Sequence, residues 1–483
     1  MCMLLVIIPL LGVLLLNLPG LGGARHKAAF WFAVVWCLCQ GGLILGAPRG
    51  FNLTGPDWMI GLLSAAPVVD NLALVMFLAI SIVGFAALMV ARFSIADHGQ
   101  LLNFTNLLIL ALAGMNGMVL AHDLFSLYVF LEVTAVSSFV LIVLERGRDA
   151  FEGAFKYIVL SAVATVLILS AIALLIIVKG GVSFTAAVSL AQHRPNSGLT
   201  LVAAALLLTG LFIKSGQVPF HGWVPDAYSA APSATSVLLA GIVTKTTGVY
   251  AMIRVVTVLF PEDNVVHTLL LIVGALSVVV GALAALGQKD FKRMLAYSSI
   301  SQVGYIILGV GVVSAARPDI AALGLAGAIL HLFNHSVFKS LLFVNAAAVE
   351  RQTGTRDMDR LGGLAERMPL TGLTSAIAFL STAGIPPLSG FWSKLFIIVA
   401  LWSSGNRAYA TIAILASVLT LAYFLVLQRK VFFGKLAEGL EGLREANSWN
   451  TVPCCLLAGI TIFLGIGTPW LFQTFLLPIR SIL

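Results

Sequence analysis

The chain has 483 residues, of which 60% are hydrophobic and only 10% charged, and its mean hydropathy is +1.03. That composition excludes a soluble domain with a single anchor and points to a polytopic α-helical membrane protein. The net charge of +8 is spread over connecting loops, so it reads as an orientation signal and not as a nucleic-acid footprint.

Apolar runs of about 20 residues recur along the chain, enough to cross roughly 30 Å of hydrocarbon at 1.5 Å per residue. A transmembrane β-barrel would instead alternate apolar and polar residues in short segments. The runs predict about 14 helices, near 3–19, 28–46, 69–92, 102–121, 124–144, 155–178, 199–224, 234–257, 266–287, 295–314, 320–348, 370–401, 408–433 and 451–475. The first run has no Lys or Arg before it, so it reads as a retained helix and not as a cleavable signal peptide. The longest polar stretches, 350–369 and 435–450, are predicted as loops. Of the 28 Lys and Arg, 17 fall in loops after odd-numbered spans, 7 in loops after even-numbered spans or at the C-terminus, and 4 inside spans. The positive-inside rule then places the odd loops in the cytoplasm and both termini on the opposite side. Cys2, Cys37, Cys39, Cys454 and Cys455 lie in or beside apolar runs without C-x-x-C spacing, so they read as small hydrophobes. The chain carries no metal or cofactor signature, and any redox chemistry would belong to a partner.

Two spans are interrupted by helix breakers. The seventh reads Lys214-Ser-Gly-Gln-Val-Pro219-Phe-His221-Gly-Trp-Val-Pro225-Asp226, and the twelfth Gly384-Ile-Pro386-Pro387-Leu-Ser-Gly390-Phe-Trp-Ser-Lys394. Proline inside a helix removes a hydrogen bond and clashes with the preceding turn. The freed backbone must then face protein or water within the membrane. Broken helices in two halves, about 170 residues apart, suggest a repeat-built transporter with its sites at the breaks. In that register Glu132 falls near Gln302, so the halves would differ in charge placement.

Ionisable groups inside apolar runs are the candidates for chemistry. Glu132 lies mid-span, and Lys214, Lys245, Lys339 and Lys394 lie in similarly apolar surroundings. Each would cost roughly 2.5–3.5 kcal/mol if left unpaired at the bilayer centre. His331, His335 and Lys339 recur at four-residue spacing and so share one helical face. Histidine titrates near neutrality, as a proton path requires. The competing reading of His331-Leu-Phe-Asn-His335 as a metal site lacks the internal Glu of H-E-x-x-H. Asp123 is expected to be solvated near the non-cytoplasmic surface, while Tyr305, Ser298, Ser301 and Thr246 could hold waters or satisfy local backbone groups.

Three stretches besides the first break carry a resemblance: Tyr297-Ser-Ser-Ile-Ser-Gln302-Val-Gly-Tyr305, His331 through Lys339, and Gly384 through Lys394. With Lys214 through Arg254, they resemble the antiporter-like subunits of respiratory complex I, of Mrp-type sodium/proton antiporters and of membrane-bound hydrogenases, the hydrogenase-linked members most of all. The resemblance implies 14 transmembrane helices and two inverted five-helix repeats with helices 7 and 12 broken. The implied organisation is 1–98 for the first three helices, 99–260 and 261–435 for the repeats, and 436–483 for the last helix. It implies that Glu132 pairs with Lys214, that Lys245 connects onward, and that His331, His335, Lys339 and Lys394 continue the path. Gln302 stands where some members have histidine, a departure that speaks against a histidine relay through the tenth helix.

The expected function is proton translocation within a redox-driven multi-subunit complex of the prokaryotic plasma membrane. Iron–sulfur and nickel–iron centres are expected in partner subunits, and none in this chain. The alternatives are a sodium/proton antiporter subunit without a redox partner and a non-conducting scaffold of a membrane arm.

Overall fold

A computed structural model describes residues 3–18, 24–46, 69–179, 181, 183–184, 198–261, 263–313 and 317–471. Cys2 and the charge assignments at Arg49, Arg194 and Arg480 lie outside those residues. The described chain is helical. Its elements are α1 (Leu4–Leu16), α2 (Arg25–Leu45), α3 (Asn71–Ser94), α4 (His98–Leu120), α5 (Leu124–Ile142) and α6 (Arg148–Lys179). Then come α7 (Gly198–Ser215), α8 (Trp223–Ala230), α9 (Ser233–Leu259), α10 (Asn264–Leu286), α11 (Phe291–Val310) and α12 (Pro318–Thr353). The last four are α13 (Pro369–Ala383), α14 (Ser389–Ser403), α15 (Arg407–Val431) and α16 (Ser448–Leu471). Eleven of the described helices are long and apolar enough to cross a membrane. The shorter α1, the more polar α11 and the broken pair α13–α14 supply the other predicted spans. The protein is an integral, polytopic, all-α membrane protein.

Aspartate starts five of these helices. Asp70, Asp97, Asp123, Asp263 and Asp290 sit in extended backbone just before α3, α4, α5, α10 and α11. Each accepts from a first-turn amide, at 2.8 Å from Ala73 and 2.7 Å from Gln100, for example. A carboxylate there satisfies an orphan N–H and complements the positive helix end. Asp123, expected to be merely solvated, is thus the cap of the helix that carries Glu132, accepting from the Ser126 amide at 2.8 Å.

Two helices outrun their predicted spans. α6 begins at Arg148 and α12 runs 36 residues to Thr353. Hydropathy sees only the hydrocarbon-length core, whereas Lys, Arg and Glu propagate a helix past the membrane edge. Lys292 and Glu350, which the sequence places in loops, therefore stand on helices.

Both breaks occur where expected. α7 ends at Ser215, and Gly216 follows in the left-handed region at φ +67°. α13 ends at Ala383 and is capped by Gly384, at φ +87°, whose N–H donates to the Leu380 and Ser381 carbonyls. Glycine closes a helix this way because it lacks a Cβ to clash. Gly384→Ala should therefore lower the thermal midpoint of the detergent-solubilised protein, by about 1–2 kcal/mol in stability. A Cβ would also stand 3.2 Å from Lys394 Cδ. An unchanged midpoint would show that the break does not depend on this conformation.

At the centre lies α12, buried continuously from Gly324 to Val349. It packs against α3, α11, α13, α14 and α16. The outer helices α2, α5, α6, α15 and α16 leave large apolar side chains exposed, as a membrane-facing surface requires.

Candidate functional site

Glu132 and Lys214 form an ion pair. Lys214 Nζ lies 2.9 Å from Glu132 Oε1 and also donates to Ser161 Oγ at 2.5 Å. Thr165 Oγ1 donates to the same carboxylate oxygen at 2.7 Å. Lys214 is 1% exposed, whereas Glu132 is 27% exposed along the outer face of α5. Sequence reasoning misses Ser161 and Thr165. They recur at i, i+4 within the apolar sixth span, which puts both on the α6 face that meets the pair.

The end of α7 leads directly to α9. A Cβ on Gly248 would fall 2.5 Å from Ser215 Cα, so only glycine permits this approach. Around it the backbone is π-helical, over Leu239–Val243 and Lys245–Tyr250. Such widened turns are uncommon and concentrate at functional sites. Fully buried Lys245 donates to the Ala240 carbonyl five residues back, within its own widened turn. No hydrogen bond joins Lys214 to Lys245 among the described residues.

Beyond Lys245 lies a second polar cluster on α12. Lys245, Lys339 and Lys394 all act electrostatically on His335, and Lys394 also on His331. The two imidazoles stack nearly parallel with centroids 6.2 Å apart. His331 Nδ1 is 2.8 Å from Ser393 Oγ, which ties α12 to the segment just past the second break. Both ring nitrogens of His335, and Nε2 of His331, meet no protein hydrogen-bond partner among the described residues. Lys339 Nζ donates to Ser298 Oγ at 2.5 Å and to the Leu295 carbonyl at 3.0 Å. Lys394 Nζ donates to the Thr382 carbonyl at 2.8 Å and sits 4.4 Å from the centre of the Tyr305 ring.

The seven sequence candidates fall into two groups, and all but Glu132 are buried. Glu132 and Lys214 form the outer one; Lys245, His331, His335, Lys339 and Lys394 form the inner one. The inner lysines have no carboxylate partner among the described residues. Of the hydroxyl candidates, Thr246 and Ser301 satisfy backbone carbonyls at 3.0 Å each, while Ser298 binds Lys339 directly. Gln302 reaches Thr420 Oγ1 only at 3.5 Å.

A charged layer beside these groups is not evident from the sequence. Asp226 accepts from Lys156 of α6 at 2.6 Å and from Arg293 of α11 at 2.5 Å. Lys292, 2% exposed, pairs with Glu350 at 2.6 Å, and Ser233 Oγ donates to the same carboxylate. Lys292 is therefore a fifth buried lysine, hidden from the sequence because it sits in the first turn of α11 among other charges. Arg254 likewise pairs with Asp70 through both terminal guanidinium nitrogens. Cys37 and Cys454 are buried free thiols, while Cys39 and Cys455 are exposed ones.

The family described as NADH:quinone oxidoreductase/Mrp antiporter, transmembrane region, matches residues 121–420. A Na(+)/H(+) antiporter subunit of Alkalihalophilus pseudofirmus is 34% identical over 84% of this chain and 81% of its own length. An NADH-quinone oxidoreductase subunit of Desulforudis audaxviator is 33% identical over 79% of this chain and 75% of its own. A chain of the Mrp complex from Dietzia sp. superposes with a TM-score of 0.88 at 25% identity, covering 98% of this chain and 96% of that one. The matched region contains all seven candidates, from Glu132 to Lys394. The chain belongs to the antiporter-like membrane subunits of the NADH:quinone oxidoreductase/Mrp antiporter family.

Proposed function

We propose that this chain translocates protons within a multi-subunit membrane complex, with Glu132, Lys214, Lys245, His331, His335, Lys339 and Lys394 as the proton-transfer groups. One observation carries the reading: a row of buried bases with a single carboxylate at its outer end. Bases without fixed counter-charges can hold or pass a proton, whereas a sodium path needs clustered oxygen ligands. Opening the Glu132–Lys214 pair leaves Lys214 without its counter-charge and drives its proton toward Lys245. Closing the pair recharges it. The imidazoles of His331 and His335 then bridge toward Lys339 and Lys394.

We read 99–260 and 261–435 as two inverted repeats, supported by glycine-closed helices at both breaks. The lysine- and arginine-rich end is read as cytoplasmic, with both termini on the other side. Glu132 is partly open beside exposed Val129, Val133 and Val136 on α5, which suits coverage by a neighbouring membrane subunit. The driving force is read as redox energy from partner subunits holding iron–sulfur and nickel–iron centres. Sodium/proton exchange in an Mrp-type assembly is the second reading, favoured by the 34% identity to a sodium/proton antiporter protein.

The test is reconstitution of the purified native complex in proteoliposomes with a pH-sensitive dye. Proton movement that begins on addition of electron donor and needs no sodium is the expected result. Proton movement driven by a sodium gradient alone would establish exchange. An assembled, donor-oxidising complex that moves no protons would reduce the chain to a scaffold.

A further inference from the structure

A cavity of about 190 Å³ lies where the loop ends of α2, α3, α4 and α16 converge, and it contains none of the proton-transfer groups. His26 and Lys27, Arg92, His98 and Trp449 line it, with Trp31 at its mouth. The imidazoles of His26 and His98 stack with centroids 4.1 Å apart, and the Arg92 guanidinium lies 5.7 Å from the centre of the Trp449 ring. At this end Lys156 and Arg293 share Asp226, Lys292 has Glu350, and Lys430 has Asp359. Among the described residues no carboxylate pairs with Lys27 or Arg92. Asp97, beside His98, is occupied in capping α4 through the Gln100 amide. Two cations and two imidazoles thus converge on a cavity whose lining contains no carboxylate.

We propose that this cavity binds the phosphate headgroup of an anionic phospholipid. The argument for a lipid over a free phosphate is the surface below it. Trp31, Val35 and Leu38, at i, i+4 and i+7 on α2, are exposed and form an apolar stripe running from the cavity toward the membrane interior. An acyl chain can lie along that stripe while its phosphate meets Lys27 and Arg92. Tryptophans such as Trp31 and Trp449 favour the headgroup level, where one ring edge is apolar and the other wet. A basic pocket between helices on the positively charged end is the expected chemistry for such a headgroup.

The purified complex in neutral detergent is incubated with phosphatidylglycerol or phosphatidylcholine. Native mass spectrometry then counts the lipids retained on this chain. Wild type should retain phosphatidylglycerol at least tenfold over phosphatidylcholine. Lys27→Gln combined with Arg92→Gln should cut that preference at least tenfold, at roughly fivefold per charge. Arg407→Gln, at the opposite end of the bundle, should leave it unchanged. Equal retention of both lipids, or a preference unmoved by the double variant, overturns the proposal. Displacement of phosphatidylglycerol by millimolar inorganic phosphate also overturns it, in favour of a soluble anion site. Should the double variant fail to assemble, brominated lipids decide on the wild type. Brominated phosphatidylglycerol should quench tryptophan fluorescence more than brominated phosphatidylcholine, and Trp449→Phe should diminish the difference. Equal quenching by the two lipids counts against the site.

Discussion

Glu132→Gln is expected to reduce coupled proton movement at least tenfold and to destabilise the protein at the same time. The amide keeps the shape of the side chain but removes its charge. Lys214, 1% exposed, would keep Ser161 as an acceptor but lose the carboxylate 2.9 Å away. Breaking one side of a buried pair costs about 3 kcal/mol, because the remaining charge stays buried without compensation. Adding Lys214→Met to Glu132→Gln should recover most of that stability, since both charges are then gone and Met fills similar volume. Transport should not recover, because the path has lost its first two groups. The thermal midpoint and the proteoliposome dye signal, measured on the two variants, separate the roles. Full transport in Glu132→Gln would exclude the pair from the path. Recovery of transport in the double variant would make its charges structural.

This split also shows why much of the site is legible before the fold. Glu132 and the four lysines announce themselves by contrast with their apolar neighbours, and the breaks by Gly216-to-Pro219 and Gly384-to-Pro387. Helical spacing alone places His331, His335 and Lys339 on one face. What the sequence hides are groups without such contrast. Ser161 and Thr165 are common in membrane helices and differ from others only in facing Lys214. Lys292 and Glu350 stand near helix ends, where charges are ordinary, and their pairing spans α11 and α12. The π-helical backbone around Lys245 leaves no signal, because residues 239–250 have unremarkable composition for a membrane helix. Hydropathy underestimates helix lengths for a related reason: α6 and α12 extend beyond the hydrocarbon on charged residues that are good helix formers.

Lys245→Met should produce effects of opposite sign on transport and on stability. Lys245 is fully buried in the middle of α9, and its acceptor is the Ala240 carbonyl of its own widened turn. An ammonium carries three donors, and one backbone oxygen satisfies only part of that capacity. No carboxylate pairs with it among the described residues. A buried cation in that position is costly, on the order of 2.5–3.5 kcal/mol at the bilayer centre. Methionine has nearly the same length and no charge, so the variant should unfold at the same temperature or higher. Yet in the proposed path Lys245 is the group between the Glu132–Lys214 pair and the His335 cluster. Its removal should stop proton passage between the two, lowering the dye signal at least tenfold with donor oxidation or sodium gradient still supplied. A residue held against its own stability is one whose charge is used. Wild-type transport in this variant would break the row at its middle. A lowered midpoint would show that the ammonium holds the π-helical turn together, and that its place in the path is secondary to that.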